Sequence, residues 1–391
     1  MRLAFKLAYK NLIGAGLRTW LNMIVLSISF IVIIWHKGLI DGWDNQARHD
    51  MIGWETGGGQ YWQQNYEPYD PFTLADSHAA IPAALQVQID SGNLVPILIT
   101  QGTLYPSGRM QTVLIRGIDP GQHILKLPTH LLTSDSAQIT ALVGRKMAAD
   151  NRIKTGDVIT LRWRDVHGTF DAADIKIAGI FDTNVPTVDM GQVWISLPLL
   201  QHMMMMPGEA TLLVKKDDAS GSVMVHGWKF KDKEVLLKTI TEVIRMKSTG
   251  GFMIYGILML LAMLAIFDTQ VLSIFRRQKE IGTFVALGMT RGQVIGLFTL
   301  EGTMMSILAA ILSAVYGIPL LALQAVKGLS IPGSSTDYGL AMADKIFPVY
   351  SAGLVAGTVA FILVTTTIVS YLPSRKIAKM KPTEALRGKL Q

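Results

Sequence analysis

Four stretches of this chain are apolar for the length of a bilayer crossing, which takes about 17–25 residues as helix. They are residues 19–35, 248–267, 302–326 and 346–374, bracketed by Arg18, by His36 and Lys37, by Glu301, and by Lys345 and Arg375. Residues 190–208 lack Asp, Glu, Lys and Arg but carry Gly191, Gln192, Pro198, His202 and Pro207, so a soluble segment is expected there. Between the first and second apolar runs the pattern changes to short β-branched and aromatic stretches bounded by Gly, Pro or Asp, which predict strands at 94–100, 111–118, 158–163, 175–181 and 193–197. Helices are predicted at 144–151, 198–206 and 231–247. The last sets Val235, Leu236, Thr239, Ile240, Val243 and Ile244 at helical spacing and leads without a break into the second apolar run, as a stiff stalk. Gly57, Gly58 and Gly59 with residues 60–66 read as a loop.

The expected fold is therefore an α-helical membrane protein with four transmembrane helices plus an α+β extracytoplasmic domain inserted between helices 1 and 2. The segments run 1–18 (amphipathic, with Leu3, Phe5, Leu7, Leu12 and Ile13 among Arg2, Lys6 and Lys10), 19–40 (first span), 41–247 (outer domain), 248–275 (second span) and 276–292 (inner coupling helix). They continue with 293–326 (third span), 327–345 (short outer loop), 346–372 (fourth span) and 373–391 (inner tail).

Charge sets the orientation. The chain has 391 residues with a net charge of +7, 17% charged residues and 50% apolar ones, and its mean hydropathy is +0.34. Segments 1–19, 276–292 and 373–391 hold 14 basic and 2 acidic residues, leaving 22 basic and 27 acidic for the remainder. The positive-inside rule puts those three segments in the cytoplasm, and both termini with them. The pI near 9.4 thus reports topology, and no nucleic-acid partner is expected. Trp35, His36 and Lys37 stand where a secretory leader would carry small residues, so the first run is expected to stay as a span.

Chemistry is sparse. Without cysteine there is no disulfide framework, CxxC pair or thiolate metal site. No GxxxxGK[ST], HExxH or GxSxG occurs, and the eight histidines form no close pair with a carboxylate at ligand spacing. Catalytic, cofactor-binding and metal-binding residues are expected to be absent. Two acids, Asp268 and Glu301, lie in or beside apolar runs, where a charge facing hydrocarbon costs a few kcal/mol. Each is expected to face protein or water, in an ion pair or hydrogen bond rather than in a proton relay. Met203, Met204, Met205 and Met206, with Trp54, Tyr61 and Trp62, are candidate contacts for an apolar substrate, against the alternative of ordinary packing.

The segment Phe275-Arg276-Arg277-Gln278-Lys279-Glu280-Ile281-Gly282-Thr283-Phe284-Val285-Ala286-Leu287-Gly288 resembles the R-x-K-E-I-G-x-x-x-A-L-G signature of FtsX-type ABC transporter permeases. Residues 373–387 resemble the family's terminal R-x-A-x-x-x-P-x-E-A-L-R pattern. Residues 141–148, 154–159 and 175–181 look like a MacB-type periplasmic core domain, and the layout is similar to LolC, LolE and MacB, the type VII group. The resemblance implies a non-catalytic permease subunit of the bacterial inner membrane, with its large domain in the periplasm. A separate cytoplasmic ABC ATPase dimer would bind ATP and Mg. A second permease copy or a homologous permease, the bilayer, and a periplasmic lipoprotein, peptide or outer-membrane protein are the other implied partners. Mechanotransmission is the implied mechanism and lipoprotein release the first implied function; MacB-like efflux of peptides or hydrophobic compounds, or FtsX-like regulation of cell-wall hydrolases, are the alternatives. Coupling to the ATPase would fall on Arg276, Arg277, Lys279, Glu280, Ile281, Gly282, Phe284, Ala286, Leu287 and Gly288.

Overall fold

The structure, a computed structural model, describes residues 17–133, 138–219, 221, 223–330 and 345–375. The expected amphipathic segment 1–18, the 327–345 loop and the 373–391 tail lie largely outside these. In chain order the elements are α1 (Leu17–Met51), β1 (Gly59–Gln63), β2 (Ala79–Ala80), α2 (Ala83–Asp90), β3 (Leu94–Tyr105), β4 (Gln111–Ile118), β5 (Ile139–Gly144), α3 (Arg145–Asn151), β6 (Val158–Arg164) and β7 (Phe170–Phe181). There follow α4 (Pro186–Asp189), β8 (Gln192–Ser196), α5 (Leu197–Met204), β9 (Glu209–Ala210), β10 (Leu212–Lys215), β11 (Trp228–Asp232), α6 (Lys233–Leu236), α7 (Lys238–Arg276), α8 (Gln278–Ala286), α9 (Arg291–Lys327) and α10 (Ala352–Ser374). Two compact units result: a helical one from the described residues of Met1–Trp43, Ile244–Leu329 and Ile346–Gln391, and a mixed one from those of Asp44–Val243 and Ser330–Lys345.

In the mixed unit the strands lie in the order β11-β1-β10-β3-β4-β8-β5-β7-β6, and β6 pairs back onto β3. Strands β3, β4, β8, β5, β7 and β6 therefore close a ring, while β10, β1 and β11 extend it from the other half of β3. The twelve residues of β3 make this possible: Leu94–Ile97 pair with β10, and Gly102–Tyr105 pair with β6. Strict alternation puts Ile159, Leu161 and Trp163 of β6 inside, beside Ile115, Ile175, Ile177, Val193 and Ile195, and α5 adds Leu197, Leu200 and Met204 to that core. A second core, with Ile97, Leu142, Phe181, Trp194 and Val214, fills the other side.

Three sequence expectations need correction. Residues 59–63 form a strand, not a loop. Its polar residues Gln60 and Gln63 are 5% and 7% exposed, and the Gln60 amide donates to the Glu55 carbonyl at 2.8 Å while accepting from Trp62 Nε1 at 2.7 Å. Gln63, on the opposite face, accepts from the Asn65 N–H at 2.6 Å, so both buried glutamines are satisfied. The expected helix at 231–247 starts later, because 228–232 is strand β11 and Asp232 Oδ1 caps α6 by accepting from the Glu234 N–H at 3.0 Å. The first helix does not end at residue 40 but continues to Met51. Ion pairs at i,i+4, Lys37–Asp41 at 2.6 Å and Asp44–Arg48 at 3.3 Å, carry it past the apolar run.

All four long apolar helices are present: Trp20–Thr56, Lys238–Arg276, Arg291–Lys327 and Ala352–Ser374 meet the length and hydropathy of a span. In the helical unit they share a core of Met23, Leu26, Phe30, Met259, Ile266, Met304, Met305 and Ile362. Small and hydroxyl residues let α9 and α10 approach: Ser306 accepts from Thr366 at 2.9 Å, and Thr303 meets Thr367 at 3.0 Å. A Cβ on Gly302 would fall 2.0 Å from Ser370 Oγ, the close backbone contact typical of helix pairs in lipid.

Asp189 ties two elements of the mixed unit together. Its Oδ1 accepts from the Lys146 N–H at 3.0 Å, capping α3 from outside that helix. Burial raises its carboxyl above the ordinary 3.8. A carboxyl with a raised folded value contributes most while protonated, and that contribution is lost as pH rises through the raised value. Asp189→Asn keeps the acceptor and removes the titration, so its stability relative to the parent should increase between about pH 4 and pH 7, read by thermal unfolding in detergent. Asp189→Ala should lose about 1 kcal/mol with the cap, and equal Ala and Asn variants would contradict the capping role.

Candidate functional site

The segment joining α7 to α9 is where the chain's specific chemistry collects. Helix α7 ends at Arg276, and Arg277 leaves helical geometry at φ −103°, ψ 19°, before α8 resumes. Two local signals close the other side. Gly288, at φ +96°, terminates α8 in a Schellman-type turn, with the Met289 N–H donating to the Phe284 carbonyl at 3.0 Å and the Gly288 N–H to that of Val285 at 3.1 Å. Thr290 and Gln293 then form a capping box that starts α9. The result is a short helix folded back at a sharp corner.

One guanidinium fastens it. Arg277 Nε donates to Glu280 at 2.6 Å, and its Nη1 donates to both Glu301 oxygens at 3.0 and 2.9 Å. The same group lies 4.9 Å from the ring centre of the buried Phe298, a cation–π distance. Burial works against the Arg277 charge, but Glu301 and Glu280 outweigh it and hold the group above its ordinary value. Beneath the fork, Ile281 packs with Ile274, Val294 and Phe298, joined by the partly buried Phe284 and Val285.

The ten coupling candidates therefore divide. Ile281 and Gly282 are buried, and Arg277 and Phe284 are half-buried and turned toward α9; Arg276, Lys279, Glu280, Ala286, Leu287 and Gly288 are exposed, Leu287 at 79%. Glu280 is exposed yet already engaged by Arg277. Glu301 is buried in its ion pair with Arg277. Asp268 lies exposed on α7, on the side that shows Leu260, Leu261 and Leu264. Sequence spacing did not join Arg277 to Glu301, 24 residues apart; the signal available was that an acid beside an apolar run needs a cation within reach.

The substrate-contact candidates lie mostly in cores. Met204 and Met206 are buried and Met203 packs against them, leaving Met205 exposed. Met205 takes φ +57°, where α5 stops. Tyr61 is buried, its hydroxyl accepting from the Val223 N–H at 2.8 Å. Trp54 stacks on Phe181 and Trp62 meets Tyr66 edge-on. Among the described residues no group of three His, Cys, Asp or Glu side chains is placed to hold a metal ion.

Residues 252–382 match the FtsX-like permease C-terminal domain. The chain is 28% identical over 155 residues to the uncharacterized ABC transporter permease MJ1507 of Methanocaldococcus jannaschii, an alignment that takes in 40% of this chain and 36% of that protein. It spans barely a third of that relative's length. It is 22% identical over 323 residues to the lipoprotein-releasing system transmembrane protein LolC of Xylella fastidiosa, covering 74% and 76% of the two chains. Among solved structures it is similar to the periplasmic region of MacB from Actinobacillus actinomycetemcomitans, at TM-score 0.33 and 10% identity, over 49% of this chain and 96% of that one.

Removing one partner of a buried ion pair strands the other, so Glu301→Gln should destabilise the purified chain by roughly 3 kcal/mol, read by thermal unfolding in detergent. Arg277→Met combined with Glu301→Leu should recover most of that loss, because neither charge remains. A single substitution without effect on unfolding would show that the fork does not hold α8.

Proposed function

We propose that this chain is the permease subunit of an ABC transporter, driven by a separate cytoplasmic ATPase through α8. The observation that carries this reading is the division of α8 into two faces. Arg277, Ile281 and Phe284 fix one face to α9, while Lys279, Ala286 and Leu287 stand free on the other. A short helix with an apolar knob and a cation on its open side suits a groove in a partner protein, and the fork makes α8 a rigid extension of the spans. ATP and Mg would bind and react on the partner chain, and the chain described here would receive the motion only.

The remainder of the proposal follows from that lever. A two-fold ATPase pair calls for two permease chains, a homodimer or a homologous pair. The three basic segments put α8 and both termini on the cytoplasmic side of the inner membrane, and the mixed unit outside it. Helices α1 and α7 run unbroken for 35 and 39 residues from the apolar runs into the mixed unit's segment of sequence, which supports mechanotransmission along them. Lipoprotein release is the substrate reading supported best, since the alignment with LolC takes in three quarters of both chains. Met205, the exposed member of the methionine run, is the one left free to touch such cargo.

The test is purification of the chain from its native membrane. A nucleotide-binding partner and lipid-anchored protein should co-purify, and the complex should hydrolyse ATP. A proline placed at Val285 should leave insertion intact and remove stimulated hydrolysis by at least tenfold, since it breaks α8. Recovery of macrolide or peptide efflux in place of lipoprotein would redirect the substrate reading. Full hydrolysis by the proline variant would overturn the lever.

A further inference from the structure

Far along α9 from the Arg277 fork, α1 and α9 are pinned together and then part. Ser27 Oγ and Tyr316 OH lie 2.9 Å apart, and one residue on, a Cβ on Gly317 would come within 2.8 Å of the Ile31 side chain. Pro319 follows, without an N–H to give the helix. Beyond it the two helices leave a groove of about 480 Å³, lined by Ile31, Val32, Trp35, Leu320 and Leu323, with Lys327 at its mouth.

Three features define what fits. The volume is that of a small-ligand site, of the order of 300–1,000 Å³. The walls are mostly apolar, with Gln324 and Lys327 the two polar side chains of the lining, too few to hold a cluster of ordered waters, each of which needs two to four polar partners. The groove is open along the exposed Leu320 and Leu323, and Lys327 makes no ion pair or side-chain hydrogen bond among the described residues. An apolar slot with the Lys327 ammonium one helical turn beyond Leu323, beside an indole ring of the kind that settles at headgroup level, matches one molecule in both chemistry and order. That molecule has a hydrocarbon chain below and a phosphate above.

We propose that this groove binds a glycerophospholipid of the bilayer, one acyl chain lying between α1 and α9 and the phosphate meeting the Lys327 ammonium. The site rests on the reading that both helices span the membrane, and it is separate from the cargo and the motor. A lipid lodged there sets how far α1 and α9 stand apart beyond the Ser27–Tyr316 contact.

The full chain in phosphatidylcholine nanodiscs, with a few per cent of phosphatidylglycerol carrying a diazirine in its acyl chain, tests this. Mass spectrometry of the illuminated protein should find label on residues 31–35 and 320–323 about fivefold above that on Val315 and Ile318, which are exposed on the same helix. Leu323→Trp, which fills the slot, should reduce groove labelling to the level of Val315, and Lys327→Glu should reduce it about threefold; neither should alter Val315. Equal labelling of groove and Val315, or groove labelling indifferent to both variants, would overturn the site while leaving the spans in place. Absence of label at Val315 as well would overturn the membrane reading and the site with it. A photoreactive amino acid at position 323 that cross-links to residues 331–344 or to a second copy in place of lipid would show another occupant and overturn the proposal.

Discussion

A buried carboxylate beside an apolar run must have a cation, and in this chain that need shapes the corner between α7 and α9. Glu301 sits near the start of α9, 8% exposed at its side chain, and Arg277 answers it by stepping out of helical geometry between α7 and α8. The same guanidinium then holds Glu280 and lies over Phe298. Three elements are joined through one side chain, because a planar fork with five N–H groups can serve two carboxylates at once. A lysine there would reach one of them. The orientation of α8, and with it which residues stand free, follows from that junction.

How much of this could be read from sequence depended on the range of the signal. The four long helices, β4 and the starts of β3 and β6 followed from runs of apolar or β-branched residues, a local property. The corner at Gly288 and Thr290 is equally local, a positive-φ glycine beside a capping box, and was not among the expected elements. Strand β1 was hidden because the buried Gln60 and Gln63 interrupt any apolar pattern, and their partners, Glu55 and Trp62 for Gln60 and the Asn65 N–H for Gln63, come into place only in the fold. The closing of the β3-to-β6 ring was hidden for a different reason. It turns on Gly102, where a Cβ would meet the Ile115 side chain at 2.5 Å and the Arg162 carbonyl at 2.9 Å, contacts made by residues 13 and 60 positions away.

The candidate site divides in the same way. The signature between residues 275 and 288 covers the segment that folds as α8, since its charges and apolar residues sit at helical spacing. It did not separate the residues that fasten α8 from those left exposed. Arg277 reads as a free cation in the sequence and is held by two carboxylates in the fold; Leu287 reads as one more apolar residue and is 79% exposed. Burial of the methionine run shows the same limit. Met204 and Met206 complete the core beneath α5, and a local run of thioethers carries no sign of which way each will turn.

The lever is tested most directly from its free end. With a photoreactive amino acid in place of Leu287 in cells that make the chain natively, illumination should produce one discrete adduct, with an ATP-binding subunit, and the same substitution at the buried Ile281 should produce none. Failure of Leu287 to capture such a subunit, or its modification by a membrane-impermeant reagent applied outside intact cells when replaced by cysteine, would contradict the account.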